Sequence, residues 1–236
     1  MSCILVLPLP RSGSSMVAGI LQHLGVDMGP CQPPDIANPR GYFEDVRFQR
    51  LHRSWSMRYE TTPNRARLRL PPWDPKLDAS DLSRYARLIQ TCTHQPYWGV
   101  KDPELCYYAA WFASVLRRPI KLIATTRDLA DAAASLGAYR RWFLPAECNK
   151  IMVDYAQRQK LMIDELKYHG IGPALMIDYD EALKDPTDTV QRIAAHVELA
   201  ATAAAVSFIE PALRRHRVQP ADTPRNEDQG VTTVTT

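Results

Sequence analysis

The segment Arg11-Ser12-Gly13-Ser14-Ser15-Met16 is well equipped to hold an anion. It follows the apolar run Cys3-Ile4-Leu5-Val6-Leu7 and precedes an apolar-periodic stretch reaching Leu24. A buried strand, a turn and a helix are expected in that order. The first N–H groups of such a helix lack intrahelical acceptors, and together with the helix dipole they attract negative charge. Gly13 lets the backbone approach an anion, Ser12, Ser14 and Ser15 supply hydroxyls, and Arg11 supplies a permanent forked cation. This is not the ATP-type loop, because Gly13 is followed by Ser14-Ser15 with no lysine for the outer phosphates. Taken alone, the segment also suits an ordinary turn whose serines only cap the helix.

A second pair strengthens the anion reading. Arg127 ends the β-type run Ile120–Thr125, and Ser135 lies eight residues further on in an alanine-rich stretch opened by Asp128. Eight residues are about two helical turns, so both side chains can face one side of the strand–helix junction. A guanidinium and a hydroxyl placed there can clasp one phosphate. In open α/β sheets ligands bind beyond the carboxyl ends of the strands, which would put both sites at one crevice. Two anion sites at one edge suit a nucleotide with phosphates at both ends of its ribose.

The surrounding elements must present these groups. Strands are expected at Cys3–Leu7, Tyr97–Val100, Ile120–Thr125 and Ala174–Ile177. Helices are expected over Asp45–Trp55, Asp78–Cys92, Glu104–Leu116, Leu129–Leu136, Ala146–Tyr168, Thr189–His196 and Ala201–Ile209. Pro30–Gly41 and Thr61–Pro75 read as loops. Strands alternating with helices predict a single P-loop-like α/β domain over residues 1–217, its central parallel sheet flanked by helices on both faces. Residues 218–236 are polar and read as a disordered tail.

Composition excludes several classes. The 236 residues carry a net charge of +3, with 45% hydrophobic and 23% charged residues, as in ordinary globular proteins. The arginines are scattered apart from Arg65/Arg67/Arg69 and Arg214/Arg215/Arg217, a poor basis for nucleic-acid binding. Cys3, Cys31, Cys92, Cys106 and Cys148 show no metal-ligand spacing and suit reduced thiols. No run approaches the ~18 apolar residues of a membrane span. A cytoplasmic protein is expected, needing no metal and no nucleic acid.

With these residues in view, the chain resembles the sulfotransferases that use 3′-phosphoadenosine-5′-phosphosulfate (PAPS). Arg11-Ser12-Gly13-Ser14-Ser15-Met16 is similar to the 5′-phosphosulfate loop of the bacterial and carbohydrate branches, and Arg127-Asp128 with Ser135 to the 3′-phosphate motif. Gly99-Val100-Lys101-Asp102-Pro103 looks like the lysine-bearing turn between them. Asn38-Pro39-Arg40-Gly41-Tyr42-Phe43-Glu44 resembles the glutamate-bearing segment, and Ile177-Asp178-Tyr179-Asp180-Glu181-Ala182-Leu183 the Tyr-Glu-x-Leu signature. The chain departs from the pattern in three places. Arg11 stands where many members have lysine, Leu129 stands where proline is common, and the Gly-x-x-Gly-x-x-Lys segment of the hormone-type branch is absent.

The resemblance implies transfer of a sulfuryl group from PAPS to a hydroxyl or amine of a small-molecule or carbohydrate acceptor. It places Arg11 at the leaving phosphate, Lys101 beside the bridging oxygen or the acceptor, and Ser12–Ser15 around the 5′-phosphate. Arg127 and Ser135 would hold the 3′-phosphate. Glu44 takes the position of the catalytic base, although Glu44 or Asp45 could instead cap the following helix. His52 and His23 are the histidine substitutes for that base. The aromatics at Trp55/Tyr59, Trp73, Tyr97/Trp98, Tyr107–Phe112 and Tyr139–Phe143 suit either core or acceptor pocket, and Tyr59–Pro75 and Gly137–Pro145 suit acceptor lids. The competing readings are a nucleotide kinase or other phosphotransferase, a non-catalytic nucleotide-binding module of the same fold, and a nucleotide-sugar glycosyltransferase.

Overall fold

A computed structural model describes residues 2–36, 38–59, 76–116, 118–140 and 143–213. The expected loop at 61–75, Trp73, Trp142, both arginine triplets and the tail at 218–236 lie outside the described residues.

Strand β1 (Ser2–Pro8) is buried along its whole length. Its neighbours are β2 (Tyr97–Lys101) and β3 (Ile120–Thr126), and β4 (Leu175–Asp178) pairs with β3. Among the described residues these form a parallel sheet in the order β2-β1-β3-β4. Side chains alternate across a strand, so β1 feeds two cores. Cys3, Leu5 and Leu7 pack on one face and Ile4 and Val6 on the other.

The first face is covered by α2 (Val46–Ser56), α3 (Ala79–Cys92), α4 (Leu105–Val115), α5 (Leu129–Tyr139) and α6 (Pro145–Tyr168). The second is covered by α1 (Ser14–His23), α8 (Pro186–Val197) and α9 (Ala203–Phe208), with α7 (Tyr179–Lys184) following β4. Helices on both faces of a parallel sheet confirm the expected fold class. Asp128 and Asp178 accept hydrogen bonds from the first turns of α5 and α7, so each helix starts immediately after its strand.

Helix α7 has no counterpart in the sequence reading, being only six residues long. Helix α8 begins earlier than expected, where Asp185 caps and Pro186 occupies the first turn. The register places Val6 beside Lys101, Pro8 beside Thr125 and Thr126 beside Asp178. The turns after all four strands therefore meet along one edge of the sheet. The five cysteines are free. Among the described residues no helix is long and apolar enough to cross a membrane.

Candidate active site

The loop leaving β1 is wound tightly. Arg11 and Gly13 both have positive φ, 65° and 78°. Ser12 is 1% exposed; its hydroxyl donates to the Leu9 carbonyl and meets Thr125 Oγ1 at 2.6 Å. That hydroxyl fastens the loop to β3 and does not line the cleft, a correction to the expectation that it faces a ligand. Ser14 and Ser15 open α1 on the cleft side. Gly13 needs its missing side chain for a second reason, since a Cβ there would lie 2.2 Å from Tyr179 Cδ2.

Arg127 and Ser135 come to the same place. Arg11 Nε donates to Ser135 Oγ at 3.0 Å, and Arg127 Nη1 donates to the Arg11 carbonyl at 3.2 Å. Arg127 lies over the Tyr179 ring, 4.9 Å from its centroid, with an Asp131 carboxylate oxygen 3.9 Å from Nη2. Arg11 lies over the Tyr139 ring at 5.1 Å. Arg11, Gly13, Ser14, Ser15, Arg127 and Ser135 line one solvent-open cavity of about 160 Å³. The expected meeting of the Arg11 loop with Arg127 and Ser135 at one crevice is thus present as geometry.

Behind this wall lies a buried ion pair. Lys101 Nζ, at the end of β2, donates to Glu44 Oε1 at 2.6 Å, to the Tyr42 carbonyl at 3.0 Å and to Ser15 Oγ at 3.2 Å. Gln49 Nε2 donates to the other Glu44 oxygen at 2.8 Å. Burial pushes the Glu44 carboxyl above its usual range, against the pull of Lys101 and with added repulsion from Asp102. Asp45, not Glu44, caps α2 by accepting from Arg47 N, so Glu44 is spared for other work. Phe43, just before it, is held at φ 55°, a strained conformation for a bulky residue. Glu44 and Lys101 reach the cavity wall through the Ser15 hydroxyl.

A family model described as "Sulfotransferase family" matches residues 3–203. The chain belongs to the sulfotransferase family. It is similar in structure to sulfotransferase STF1 from Mycobacterium tuberculosis, with 14% identity and a TM-score of 0.48, over 92% of this chain and 72% of that one. It is also similar to sulfotransferase STF9 from Mycobacterium avium, with 17% identity and a TM-score of 0.49, over 87% of this chain and 66% of that one. The chain thus spans about two thirds of the length of the second of these. No curated protein matches it.

In this sulfotransferase His52 does not belong to the cleft, which corrects its place among the candidate bases. It is fully buried, with Nδ1 2.9 Å from Asp102 Oδ2 and Nε2 2.7 Å from Tyr85 OH. A carboxylate accepts only, so Nδ1 donates to Asp102, while Nε2 and the Tyr85 hydroxyl share the second hydrogen bond. The ring stacks on Tyr108 within the cluster of Phe48, Trp55, Tyr85 and Phe112. Those aromatics are core and none lines the cavity. His23 is exposed at the end of α1, packed against Phe208.

Sequence reasoning missed the far wall of the cavity. Tyr179, Phe208 and Glu210 line it together with Arg40, which ion-pairs with Glu210 and lies 4.9 Å from the Phe208 ring centroid. Phe208 reaches this position because Gly19 of α1 leaves room; a Cβ on Gly19 would lie 2.1 Å from Phe208 Cε1. Phe208 and Glu210 fall beyond the 3–203 match and carry no local sequence signal.

Proposed function

We propose that this sulfotransferase moves a sulfuryl group from PAPS to a hydroxyl or amine of a small-molecule or carbohydrate acceptor, with Glu44 as general base. The observation that carries the reading is the hydrogen-bonded meeting of Arg11, Arg127 and Ser135 at one cavity, from positions 116 and 124 residues apart. Two guanidiniums, the hydroxyls of Ser14, Ser15 and Ser135 and the first N–H groups of α1 form a donor set suited to a ligand with several anionic groups.

When bound, PAPS supplies the sulfuryl group and a phosphate that departs with the bridging oxygen. Arg11 and the α1 N-terminus favour the charge that grows on that phosphate. Lys101 adds to this field through Ser15. Glu44, its basicity raised by burial, takes the acceptor proton as the new sulfur–oxygen or sulfur–nitrogen bond forms. The neighbouring Lys101 ammonium keeps Glu44 ionised until then. Arg127 and Ser135 hold the 3′-phosphate and so separate PAPS from ordinary adenylates. Catalysis on this reading is positioning and charge stabilisation.

Thermal-shift titration with 3′-phosphoadenosine-5′-phosphate tests the nucleotide assignment, with AMP and ATP–Mg²⁺ as controls. A ligand that binds only the native state raises the unfolding midpoint by mass action. The bisphosphate should shift it and AMP should not. An equal or larger shift with ATP–Mg²⁺ would favour a phosphotransferase. Radiolabelled PAPS with hydroxyl- and amine-bearing acceptor panels then tests transfer itself.

A further inference from the structure

We propose that the buried His52–Asp102 pair is a positioning device for sulfuryl transfer, holding Glu44 and Lys101 in register from behind the cavity without touching substrate. The inference rests on the proposed role of Glu44 as base.

Two elements carry all four residues. Glu44 immediately precedes Asp45, the cap of α2, and His52 lies within that helix. Lys101 ends β2, and Asp102 follows it into the turn before α4. The helix and the strand end are thus joined twice, in opposite senses. Lys101 Nζ donates to Glu44 Oε1 at 2.6 Å, and His52 Nδ1 donates to Asp102 Oδ2 at 2.9 Å. One bond would leave the two elements free to pivot, whereas two bonds from adjacent residues of the strand end fix their angle as well. Gln49, three residues from His52 and on the same face of α2, holds the other Glu44 oxygen at 2.8 Å. Asp102 also shapes its own turn, since Oδ1 accepts from Glu104 N at 2.9 Å and its carbonyl from Leu105 N at 3.0 Å.

Packing alone does not call for this pair. His52 is fully buried and Asp102 is 3% exposed. Burying an imidazole and a carboxylate costs desolvation that apolar side chains of similar volume avoid. What the polar pair adds is direction. The His52 ring is stacked on Tyr108 at 5.2 Å and meets the Tyr85 hydroxyl at 2.7 Å, so Nδ1 is aimed along one line. A shift of about 1 Å in a reacting group can cost about 100-fold in rate.

Asp102 also acts through its charge. The titratable groups facing Glu44 are Lys101, which favours its ionised form, Asp102, which opposes it, and the Cys31 thiol. Those facing Asp102 are His52, Tyr85, Glu104, Cys106 and Tyr155. Asp102 therefore helps to keep Glu44 basic beside an ammonium group.

Carbon-13 NMR of the chain labelled at its glutamate carboxyls reads Glu44 directly, with no substrate present. E44Q and E104Q assign the signals of Glu44 and of Glu104, which titrates at about 7. D102N removes the charge and keeps the contacts. Its amide oxygen can accept from Glu104 N while its amide nitrogen donates to Nδ1 of the other His52 tautomer. In D102N, Glu44 should bind its proton at least about threefold more weakly than in the parent chain. H52N retains a donor near the place of Nδ1 and loses the group that meets Tyr85, and H52Q does the reverse. Transfer from radiolabelled PAPS to the acceptor panel should fall about 10- to 100-fold in H52Q and recover in H52N. Both should keep the parent response to 3′-phosphoadenosine-5′-phosphate when assayed well below their unfolding midpoints. An unmoved Glu44 titration in D102N, or equal losses in H52N and H52Q, would overturn the proposal. If the histidine variants do not fold or no panel acceptor is sulfated, D102N decides; if D102N does not fold, the H52N–H52Q contrast decides. Normal transfer by E44Q would instead overturn the reading of Glu44 as base, a failure told apart by a D102N titration that still moves.

Discussion

Gly13→Ala probes the junction on which the cleft is built. Gly13 sits at φ 78° and ψ 17°, where a side chain is disfavoured by ~1–2 kcal/mol. The added methyl would also stand 2.2 Å from Tyr179 Cδ2 and 2.9 Å from Cε2, inside any tolerable contact. Forcing a group into a packed site costs ~1–3 kcal/mol. The two terms together give a loss of ~2–5 kcal/mol. At ~2–4 °C per kcal/mol for a chain of this length, the unfolding midpoint should fall by ~4–20 °C in scanning calorimetry. Because the Tyr179 ring also carries Arg127, the response to 3′-phosphoadenosine-5′-phosphate should weaken in the same variant. Tyr179→Ala separates the two terms. The double variant G13A/Y179A keeps the backbone strain but removes the clash, so it should be ~1–3 kcal/mol more stable than the sum of single losses predicts. A fall of less than ~2 °C in G13A, or a double-mutant cycle with no coupling, would refute the reasoning.

Three further outcomes are expected. Glu44→Gln should lower kcat by ~100-fold or more while leaving nucleotide affinity within about twofold, and should remove an acid limb that lies above the ordinary glutamate range; near-normal turnover would take Glu44 out of its role. Arg127→Ala, which deletes charge-assisted hydrogen bonds worth ~1.5–3 kcal/mol, should raise the Kd of 3′-phosphoadenosine-5′-phosphate ~10- to 150-fold by calorimetry and that of AMP much less; unchanged affinity would refute the 3′-phosphate assignment. Glu104 is a pH probe of stability: burial, then the charge of Asp102, raises its carboxyl to about 7, against a hydrogen bond from Ser56 at 2.7 Å. The folded state holds this proton more tightly than the unfolded chain, so its contribution is full below about pH 4.5 and is lost as pH rises through about 7. With allowance for its partial exposure, Glu104→Gln should gain ~1–2 kcal/mol over the parent chain in urea unfolding at pH 8 and almost nothing at pH 4, and equal gains at both would exclude the linkage.

The alternation of strands and helices was legible because its signals are local. Apolar periodicity and the cap at Asp128 act within a few residues of where they stand. The same holds for the loop after β1 and for the eight-residue step from Arg127 to Ser135. Parallel pairing then brings the ends of the strands to one edge, so the meeting of these groups followed from their order in the chain.

What only the tertiary structure decided is which way each side chain faces and what it meets. Ser12 and Ser14 are alike in sequence, yet Thr125 and the Leu9 carbonyl turn the first inward while the second lines the cleft. His52 and Glu44 both looked able to take a proton. Tyr85 and Asp102 bury the histidine in an aromatic core, and Lys101 draws the carboxylate up behind Ser15. Phe208 and Glu210 enter the cavity wall because α9 packs against the bare backbone of Gly19 in α1. Apart from the bond to Leu9, these contacts join residues 33 or more positions apart. Local pattern sets an element's type and ends, whereas the partner a side chain finds depends on surfaces that exist only once the elements have packed.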